Sequence, residues 1–425
     1  MICITQCVEN VGNKIKLKIK SYIIFMKQAI KKKTFTKPNT DDIKTLLGFN
    51  VGAAKGPIKI SELKTSNAEK ETDFIVLPQA FENALKLPGI PKGYLTITTG
   101  WSNTGKSTIK NCLIAACQRE GILSVVYETE GNFDWKYAID CGVKAEPVYG
   151  EIYDEETGEV TEGIINYKAE NVIYYDSTIL AEQYGDIDYS AGKKVSKKRK
   201  EAVLEDISYS MNTILDLQEE GKIMQPICFI WDSIGSIQSF KSFASKSGNN
   251  MFDAGAISQA FNNIINNRIP SSRKVSKPYT NTFFCVNKIW NDSMNGMPGV
   301  PSIELKGGKT MFYGARLIIH LGGVAKAATK ILKATAKGEN FNYGIITKIK
   351  VTKNQLPTPY NVTYEGTMCC VHNGLISEND IDKYKKENVK HILKSLVDRL
   401  NQNSDIEETI NESDIDYEEE DSFDE

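Results

Sequence analysis

One nine-residue stretch combines glycine, lysine and hydroxyl side chains at the spacing of a phosphate-binding loop. Residues 100–108 read GWSNTGKST and fit the pattern G-x-x-x-x-G-K-[ST] at every fixed position. A β-rich run precedes the stretch and a helix-compatible run follows it, which is the order that such a loop requires. Backbone N–H groups and Lys106 would bind phosphates, and Ser107 would ligate Mg²⁺. The predicted nucleotide contacts are Gly100, Trp101, Ser102, Asn103, Thr104, Gly105, Lys106, Ser107 and Thr108.

Hydrolysis of a bound nucleotide also needs carboxylates, and two apolar runs lead into them. Asp232 follows the apolar residues 227–231 and is the candidate carboxylate on the Mg²⁺ side of the site. Glu130 comes just after the run 122–128 and is the candidate base that orients the attacking water. Glu128 is the competing carboxylate, because strand alternation puts both glutamates on the same side. ATP is the predicted ligand and Mg²⁺ its metal, and the choice between the two glutamates stays open.

Length and composition bound the class of protein. The chain has 425 residues, of which 41% are hydrophobic and 25% charged, so it can bury a large core. No apolar run approaches the ~20 residues that span a bilayer, which predicts a cytoplasmic protein with no membrane partner. The nine cysteines form no C-x-x-C and mostly lie in apolar runs, as reduced core thiols do. The three histidines lie far apart, which argues against a zinc site.

Charge divides the chain into a basic body and an acidic end. Residues 405–425 hold twelve acidic residues and no basic one, so residues 1–404 carry +10 of a total of −2. A tail of that composition is typically disordered, and a basic body suits a polyanionic partner. A tail that only promotes solubility is the alternative interpretation.

Apolar runs alternate with helical patterns along the middle of the chain. Continuous apolar strands of this kind belong in a parallel sheet that has helices on both faces. The predicted fold class is therefore α/β, a mostly parallel twisted sheet flanked by helices, with small terminal segments. The predicted divisions are a basic disordered segment at 1–39, a small N-terminal region at 40–75, a nucleotide-binding core at 76–375, a helical segment at 376–403 and a disordered acidic tail at 404–425.

Two segments interrupt the alternation within the core. Residues 148–167 alternate around a turn at 155–158 (EETG), which predicts an inserted β-hairpin. Residues 193–200 read KKVSKKRK and form a basic loop. This loop either contacts nucleic-acid phosphates or is a solvated approach to the next helix, and both interpretations stay open.

Several short stretches of the core follow one another in the same order as the motifs of a known family. They are YETEGNFDWKYA at 127–138, FCVNK at 284–288, GGK at 307–309 with FY at 312–313 and Arg316, and KVTKN at 350–354. With the phosphate loop and Asp232, they resemble the RecA family of recombinases, including the phage-type UvsX proteins, across roughly residues 75–375. The resemblance implies a RecA-like P-loop NTPase core. It also implies that Glu130 activates water, that Asp134 and Tyr137 contact adenine, that Asn287 and Lys288 end the strand that senses the γ-phosphate, and that Lys353 reaches the nucleotide of a neighbouring subunit.

The same resemblance implies two DNA-binding loops, residues 239–256 and 290–306. Both are rich in Gly, Ser and Asn and are longer than ordinary connections. Cations beside apolar wedges suit single-stranded DNA, and two mobile surface loops with incidental aromatic residues are the alternative. The candidate DNA contacts are Lys241, Lys246, Trp290, Met294 and Lys306.

Two positions depart from the bacterial pattern of the family. Lys288 stands where that pattern has a glutamine sensor. Gln355 stands where it has a second lysine that crosses the subunit interface. Both positions bear on the coupling of ATP binding to DNA binding.

The resemblance implies a DNA-dependent ATPase that forms helical filaments on single-stranded DNA and pairs it with homologous duplex DNA. Strand exchange in recombination and repair is the expected output, with single-strand-binding or loader proteins as further partners. A hexameric helicase of the DnaB type is the first alternative, but it would need an arginine finger and a larger helical N-terminal domain than residues 1–75 allow. A regulatory ATPase of the KaiC kind is the second, and the basic body and the two loops argue against it.

Overall fold

A twelve-stranded sheet forms the centre of the part of the chain that the structure describes. The computed structural model describes residues 68–245, 252–291, 303–305, 308–323, 329–403 and 410–421. The predictions for residues 1–39, and for 40–67 of the small N-terminal region, lie outside the described residues.

The strands are numbered here in chain order. They are β1 (Phe74–Val76), β2 (Gly89–Pro91), β3 (Leu95–Gly100), β4 (Leu123–Glu128), β5 (Ala145–Tyr153), β6 (Val160–Ala169), β7 (Val172–Asp176), β8 (Ile187–Asp188), β9 (Lys193–Lys194), β10 (Ile227–Ile234), β11 (Thr282–Asn291), β12 (Ile303–Leu305), β13 (Ala315–Leu321), β14 (Thr329–Ala336), β15 (Glu339–Asn354), β16 (Glu365–Val371), β17 (Gly374–Ile376) and β18 (Asp416–Asp421).

The helices are numbered in the same way. They are α1 (Gln79–Leu85), α2 (Lys106–Arg119), α3 (Trp135–Asp140), α4 (Ser177–Tyr184), α5 (Leu204–Glu219), α6 (Phe240–Ser245), α7 (Phe252–Asn263), α8 (Ile269–Ser271), α9 (Gly308–Gly314), α10 (Ile381–Glu387) and α11 (Val389–Asn403). A π-helical turn, Ile264–Arg268, joins α7 to α8. Within the described ranges, no helix has both the length and the apolar content needed to cross a membrane.

Six strands in the middle of the sheet run parallel, in the order β13-β3-β11-β10-β4-β7. Every residue of β3, β4 and β10 is buried, which explains why these strands are continuous apolar runs in the sequence. The predicted runs 122–128 and 227–231 correspond to β4 and β10. The predicted α/β fold class is confirmed, because helices flank a large, mostly parallel mixed sheet.

Alternate residues of each central strand pack into two apolar clusters. Cys228 and Ile230 of β10 join the cluster that includes residues of α2. Phe229 and Trp231 of the same strand join the cluster that includes residues of α5. Because successive strand residues point to opposite faces, two helical layers fix the strands whose ends carry the candidate site.

Beyond β13 the sheet continues as antiparallel strands, which we call the C-terminal extension (β14 to β18 with α10 and α11). A two-residue turn joins β14 to β15 and holds Lys337 at a φ of 51° and Gly338 at a φ of 84°. Positive φ at both central residues is the geometry that tight hairpins favour. β15 also pairs with β13 and β16, so the extension is continuous with the central strands. Helices α10 and α11 lie within residues 376–403, which the sequence predicts as helical.

The acidic end of the chain differs from the predicted disordered tail. Asp416–Asp421 form β18, which pairs antiparallel with β14. Ile410 and Ile415 are only 8% and 9% exposed and belong to an apolar cluster with residues of α11. The prediction rested on charge alone, and it overlooked two isoleucines that can be buried beside a strand partner.

Both inserted segments of the core contain paired strands. β5 and β6 pair from Ala145 opposite Ala169 to Tyr153 opposite Val160, a hairpin somewhat longer than the predicted 148–167. The basic segment 193–200, predicted as a loop, begins with β9, which pairs with β8.

The first predicted DNA loop, residues 239–256, is partly helical. Its start forms α6, and Ser239 Oγ accepts a hydrogen bond from the backbone N of Ser242 at 3.2 Å, as a helix cap does. Lys241 is exposed on this helix. The ring of Phe240 packs edge-on against Tyr189, so this aromatic residue is held by the protein rather than presented as a free wedge.

The second predicted DNA loop, residues 290–306, has strand at both ends. Trp290 and Asn291 extend β11, and their backbones pair with Glu304 and Ile303 of β12. Strand pairing therefore occupies the described residues at both ends of this predicted loop. The predicted contacts Lys246, Met294 and Lys306 lie outside the described residues.

Candidate nucleotide site

The carboxyl ends of the parallel strands bring the predicted site residues to one edge of the sheet. Gly100, at the end of β3, lies opposite Lys288 of β11 and Leu321 of β13. Asp232 of β10 lies opposite Glu128 of β4. Ligands of open parallel sheets bind at this edge. One place therefore brings together the phosphate loop, the predicted sensor strand, and the two strands that carry Glu128 and Asp232.

Two glycines allow the loop to approach its neighbours closely. Gly105 has a φ of 92°, and a Cβ atom there would collide with the sulfur of Cys370. A Cβ atom at Gly100 would lie 2.5 Å from the carbonyl oxygen of Leu321. Any larger residue would displace the loop, which is a physical reason for glycine at both positions of the pattern.

Lys106, the first residue of α2, holds its ammonium group against the loop. Its Nζ donates a hydrogen bond to the carbonyl oxygen of Gly100 at 2.9 Å and another to that of Trp101. Thr104 Oγ1 donates to the same Trp101 oxygen at 2.9 Å. The Lys106 side chain is buried, so the loop surrounds a fixed positive charge.

The remaining polar residues of the loop face outward. Ser102, Asn103 and Ser107 are exposed, and Asn103 adopts a φ of 56°. Trp101 is fastened by a hydrogen bond from its Nε1 to the carbonyl oxygen of Gly323 at 3.2 Å. Ser107 therefore offers an accessible hydroxyl in the first turn of α2.

Asp134 and Tyr137 lie at the start of α3, beside α2. Asp134 caps α3, because its Oδ1 accepts a hydrogen bond from the backbone N of Tyr137 at 3.1 Å. The Tyr137 hydroxyl forms a hydrogen bond with Thr108 Oγ1 at 2.6 Å. Burial raises the pKa of Tyr137, so this hydroxyl stays protonated. Both predicted adenine contacts are thus brought to the amino-terminal turn of α2.

A buried lysine connects the two strands that carry Glu128 and Asp232. Lys110 Nζ lies 2.8 Å from Glu128 Oε2 and 2.6 Å from Asp232 Oδ2, and the three side chains are 3%, 1% and 9% exposed. Burial lowers the pKa of Lys110, but the attraction of Asp232 and Glu128 outweighs burial and the net shift is upward. Burial raises the pKa of Glu128 in spite of the opposing attraction of Lys110. A charged ammonium group therefore holds both carboxylates in place.

Glu130 and Glu128 have different surroundings, which separates two carboxylates that strand alternation leaves equivalent. Glu128 is buried, contacts Lys110, and accepts a hydrogen bond from the backbone N of Glu130 at 3.2 Å. Glu130 is partly exposed, and its Oε1 accepts a hydrogen bond from the Ser233 hydroxyl. A base that orients water must be accessible to water. The geometry therefore favours Glu130 over Glu128.

These residues fit a nucleotide with Mg²⁺. The loop has two glycine positions with no room for a Cβ atom and a lysine ammonium group against its carbonyl oxygens. The exposed Ser107 hydroxyl and the Asp232 carboxylate supply hard oxygen ligands. Backbone N–H groups at the start of a helix favour phosphate.

The predicted sensor strand passes directly beside the loop. Asn287 is buried and lies opposite Thr99, and the backbone of Lys288 lies opposite Gly100. From there β11 continues to Trp290 without interruption. One strand therefore runs from the edge of the candidate nucleotide site to the second predicted DNA loop.

Lys353, predicted to reach a neighbouring subunit, contacts a helix end within its own chain. Its Nζ donates hydrogen bonds to the carbonyl oxygens of Phe312 at 2.6 Å and Tyr313 at 3.2 Å. A cation stabilises the carboxyl end of a helix such as α9. Burial lowers the pKa of Lys353, and the charge of Arg316 adds to that shift. Its role toward a second subunit stays a prediction.

Sequence reasoning missed three polar residues of the site, Lys110, Ser233 and Thr129. Lys110 lies four residues after Lys106, a spacing that places both on one face of a helix and could have indicated it. Ser233 follows Asp232 directly. Thr129 Oγ1 accepts a hydrogen bond from Trp231 Nε1 at 3.2 Å, a contact between residues about a hundred positions apart that no local pattern indicates.

Comparison with known proteins agrees with this geometry. Residues 55–199 match the family model of the RecA N-terminal domain. The chain is 37% identical to the protein RecA of Aquifex aeolicus (strain VF5) over 100 residues, which are 23% of this chain and 29% of the relative. It is 34% identical to the protein RecA of Campylobacter lari over 111 residues, 26% of this chain and 32% of that relative. The chain thus spans about a third of the length of these relatives, and the matches support the RecA family.

Proposed function

From this support for the RecA family and from the geometry of the sheet edge, we propose that the chain is a DNA-dependent ATPase of the recombinase type. In this proposal it assembles into filaments on single-stranded DNA and pairs that strand with homologous duplex DNA. The observation that carries the proposal is the continuity of β11 from the candidate nucleotide site to the second predicted DNA loop. Such a protein would act in the cytoplasm, where its DNA substrates are.

The loop residues would bind the substrate ATP through its phosphates. Lys106 would move its ammonium group from the loop carbonyl oxygens to the β and γ phosphate oxygens, and Ser107 and Asp232 would hold Mg²⁺. The metal, when bound, neutralises phosphate charge as it develops during transfer. Tyr137 and Asp134 would border the adenine ring, at the turn where Tyr137 contacts Thr108.

Glu130 would act as the base. Its Oε1 accepts a hydrogen bond from the Ser233 hydroxyl, which fixes the carboxylate while the side chain stays partly exposed. A carboxylate held in this way can orient a water molecule and accept its proton. Glu128 and Asp232 would not take part in that proton transfer, because the ammonium group of Lys110 already neutralises part of their charge.

Coupling to DNA would pass along β11. Asn287 lies beside the loop, and the same strand continues through Lys288 to Trp290 and its pairing with β12. A γ-phosphate sensed at Lys288 would bias the arrangement of the following segment, so ATP would raise DNA affinity and DNA would raise ATP affinity by the same factor. The +10 charge of residues 1–404 supports a polyanionic partner.

The test combines electron microscopy with a binding titration. The protein is imaged with single-stranded DNA and a non-hydrolysable ATP analogue, where filaments support the proposal and closed rings favour a helicase. Labelled single-stranded DNA is then titrated with wild type, Lys288→Ala, Trp290→Ala and a control, Tyr364→Ala, which removes an exposed aromatic residue elsewhere in the chain. We expect Trp290→Ala to weaken binding by about 1–3 kcal/mol. Lys288→Ala should bind nucleotide normally but lose the dependence of DNA affinity on it.

Wild-type DNA affinity that does not change with nucleotide, together with normal binding by Trp290→Ala, would contradict the recombinase proposal. That outcome would favour a regulatory ATPase without a DNA role.

A further inference from the structure

The hairpin of β5 and β6 is unusual because it exposes many large apolar side chains. Its two strands pair only with each other and form a separate two-stranded sheet. A two-stranded ribbon is at best marginally stable alone, and clustered apolar exposure marks an interaction surface. The exposed large apolar residues of the hairpin are Val148, Tyr149, Ile152, Tyr153, Val160, Ile164 and Ile165.

The base of the hairpin is anchored to the rest of the protein. The ring of Tyr167 stacks on Trp135 with centroids 5.3 Å apart, and Trp135 in turn contacts Tyr174 of β7. These contacts fix the direction in which the ribbon leaves the sheet. They leave the part beyond Tyr149 and Ile164 exposed.

On one face of the hairpin, aliphatic side chains pack over glycines. A Cβ atom at Gly150 would lie 2.7 Å from Cδ1 of Ile165, and one at Gly163 would lie 2.6 Å from Cδ1 of Ile152. The two isoleucines therefore lie over the two glycines. Ile152 and Ile165 remain 44% and 56% exposed, but no like charges lie opposite each other on this face.

The opposite face, which we call the acidic face, places two carboxylates next to each other. Glu151 lies directly opposite Glu162, between the pair Tyr149 and Ile164 and the pair formed by Tyr153 with Val160. Like charges directly opposite each other destabilise a hairpin. Tyr149 and Tyr153 are 59% and 63% exposed beside them. A cation placed between the two glutamates would remove the repulsion and contact aromatic rings as well.

The charge of the hairpin restricts the chemistry of its partner. Residues 145–162 contain seven acidic residues and no basic one. Such a surface repels DNA phosphates and attracts a basic segment.

A segment of that kind occurs in this same chain. Residues 193–200 contain six basic residues and no acidic one. Lys194 pairs with Asp186 and Arg199 pairs with Asp206, but no ion pair joins Lys197 or Lys200 to a described carboxylate. Both of these lysines are exposed.

We infer that the acidic face of the hairpin docks on the basic segment 193–200 of a second copy of this chain. Lys197 and Lys200 would lie against Glu151 and Glu162, and the flanking tyrosines would bury their exposed rings in the contact. The inference names a subunit contact for the filament and so rests on the proposed self-assembly. It gives the basic segment a protein partner rather than DNA.

Charge reversal on each side tests the inference. The hairpin variant carries Glu151→Lys and Glu162→Lys, and the segment variant carries Lys197→Glu and Lys200→Glu. A control variant, Glu155→Lys with Glu156→Lys, makes the same charge change at the exposed turn of the hairpin. Replacing one like-charged pair by another leaves the repulsion within the ribbon unchanged, so the folding of the hairpin variant should match wild type in circular dichroism.

The readout is the protein concentration at which filaments form on single-stranded DNA with a non-hydrolysable ATP analogue, measured by sedimentation. Each variant alone should need a concentration at least about tenfold higher than wild type, because its contacts place like charges together. An equal mixture of the two should assemble within about threefold of wild type, since every contact in an alternating assembly again joins opposite charges. The control should behave as wild type.

Two results would overturn the inference. One is assembly of the hairpin variant at the wild-type concentration, which would leave the acidic face for a different basic partner. The other is a mixture that assembles no better than its components. Failure of the wild-type protein itself to assemble would instead contradict the proposed function.

Discussion

Ion pairs occur both at the nucleotide end of the sheet and in the C-terminal extension, but their surroundings differ. Lys110 bridges Glu128 and Asp232 with every side chain 9% exposed or less. Lys330 of β14 pairs with Glu419 of β18 at 3.3 Å with both side chains about half exposed, at 52% and 49%. Loss of one partner leaves an uncompensated charge in the first region, whereas solvent and salt screen the charges of the second.

The extension is held by apolar packing instead. Ile410 and Ile415 of the acidic end join Ile392 and Leu396 of α11 in one cluster. The comparison teaches that an ion pair has to be judged by its burial, since the loss of one partner is expected to cost much more in the buried region than in the exposed one.

The largest difference between the regions should be in turnover, because the proposed ATP hydrolysis takes place at the nucleotide end. Lys106→Ala should abolish ATP hydrolysis, since it removes the cation that binds the phosphates. Glu130→Gln should keep nucleotide binding and lower turnover by about 10²–10⁴-fold. Steady-state hydrolysis and binding of a labelled nucleotide measure the two effects. Lys330→Ala, a lysine removed from the extension, is the control and should hydrolyse ATP normally. Normal hydrolysis by Glu130→Gln with none by Glu128→Gln would reverse the assignment of the base.

Stability should depend strongly on the buried lysine. Lys110→Met keeps the volume of the side chain but leaves Glu128 and Asp232 facing each other without a cation, and it should cost about 3–5 kcal/mol of unfolding free energy. The charge-matched double variant, Lys110→Met with Glu128→Gln, should recover at least half of that loss. Urea unfolding measures both. A loss below about 1 kcal/mol in the single variant would mean that water enters and screens this cluster.

The apolar attachment of the acidic end should come next. Ile415→Ala removes a buried side chain from the cluster beside α11 and should cost about 2–3 kcal/mol. Hydrogen exchange of β14 and β18 should accelerate more than that of β3 or β10, because the extension would open locally. Equal acceleration in all four strands would show that the extension and the central strands unfold together.

The acidic end should also weaken DNA binding, through its charge. Truncation after Ser404 would remove the charges together with Ile410 and Ile415, so it confounds repulsion with unfolding. A triple variant, Glu418→Gln, Glu419→Gln and Glu420→Gln, keeps the strand. It should tighten binding of single-stranded DNA a few-fold at low salt, and the gain should vanish as salt rises. Unchanged affinity at low salt would leave the chain end as a structural strand only.

The smallest effect should come from a single exposed pair. Lys330→Ala should change unfolding free energy by about 0–1 kcal/mol, and less in 1 M salt, because this lysine and Glu419 are both half exposed. Urea unfolding at two salt concentrations is sufficient. A loss as large as that of Lys110→Met would contradict the role of burial in this comparison.

Much of the fold could be predicted from the sequence because its signals are local. The central strands are continuous apolar runs, and the run 227–231 ends at Asp232 within the observed β10. Gly105 and Lys106 announce the loop by spacing alone. The acidic end was predicted wrongly for the same reason: its composition is a local signal, whereas the burial of Ile415 depends on contacts with β14 and α11, which come earlier in the sequence.

What the sequence by itself determined is the set of elements and the loop, since spacing, periodicity and glycine placement act over a few residues. What only the tertiary structure decided is which of the two candidate carboxylates is buried and which stays partly exposed. Strand alternation leaves Glu128 and Glu130 equivalent, and the difference arises from Lys110 on a helix and Ser233 on another strand. Long-range packing determines burial and ionic contacts, and these set whether a carboxylate is neutralised inside the protein or stays accessible to water.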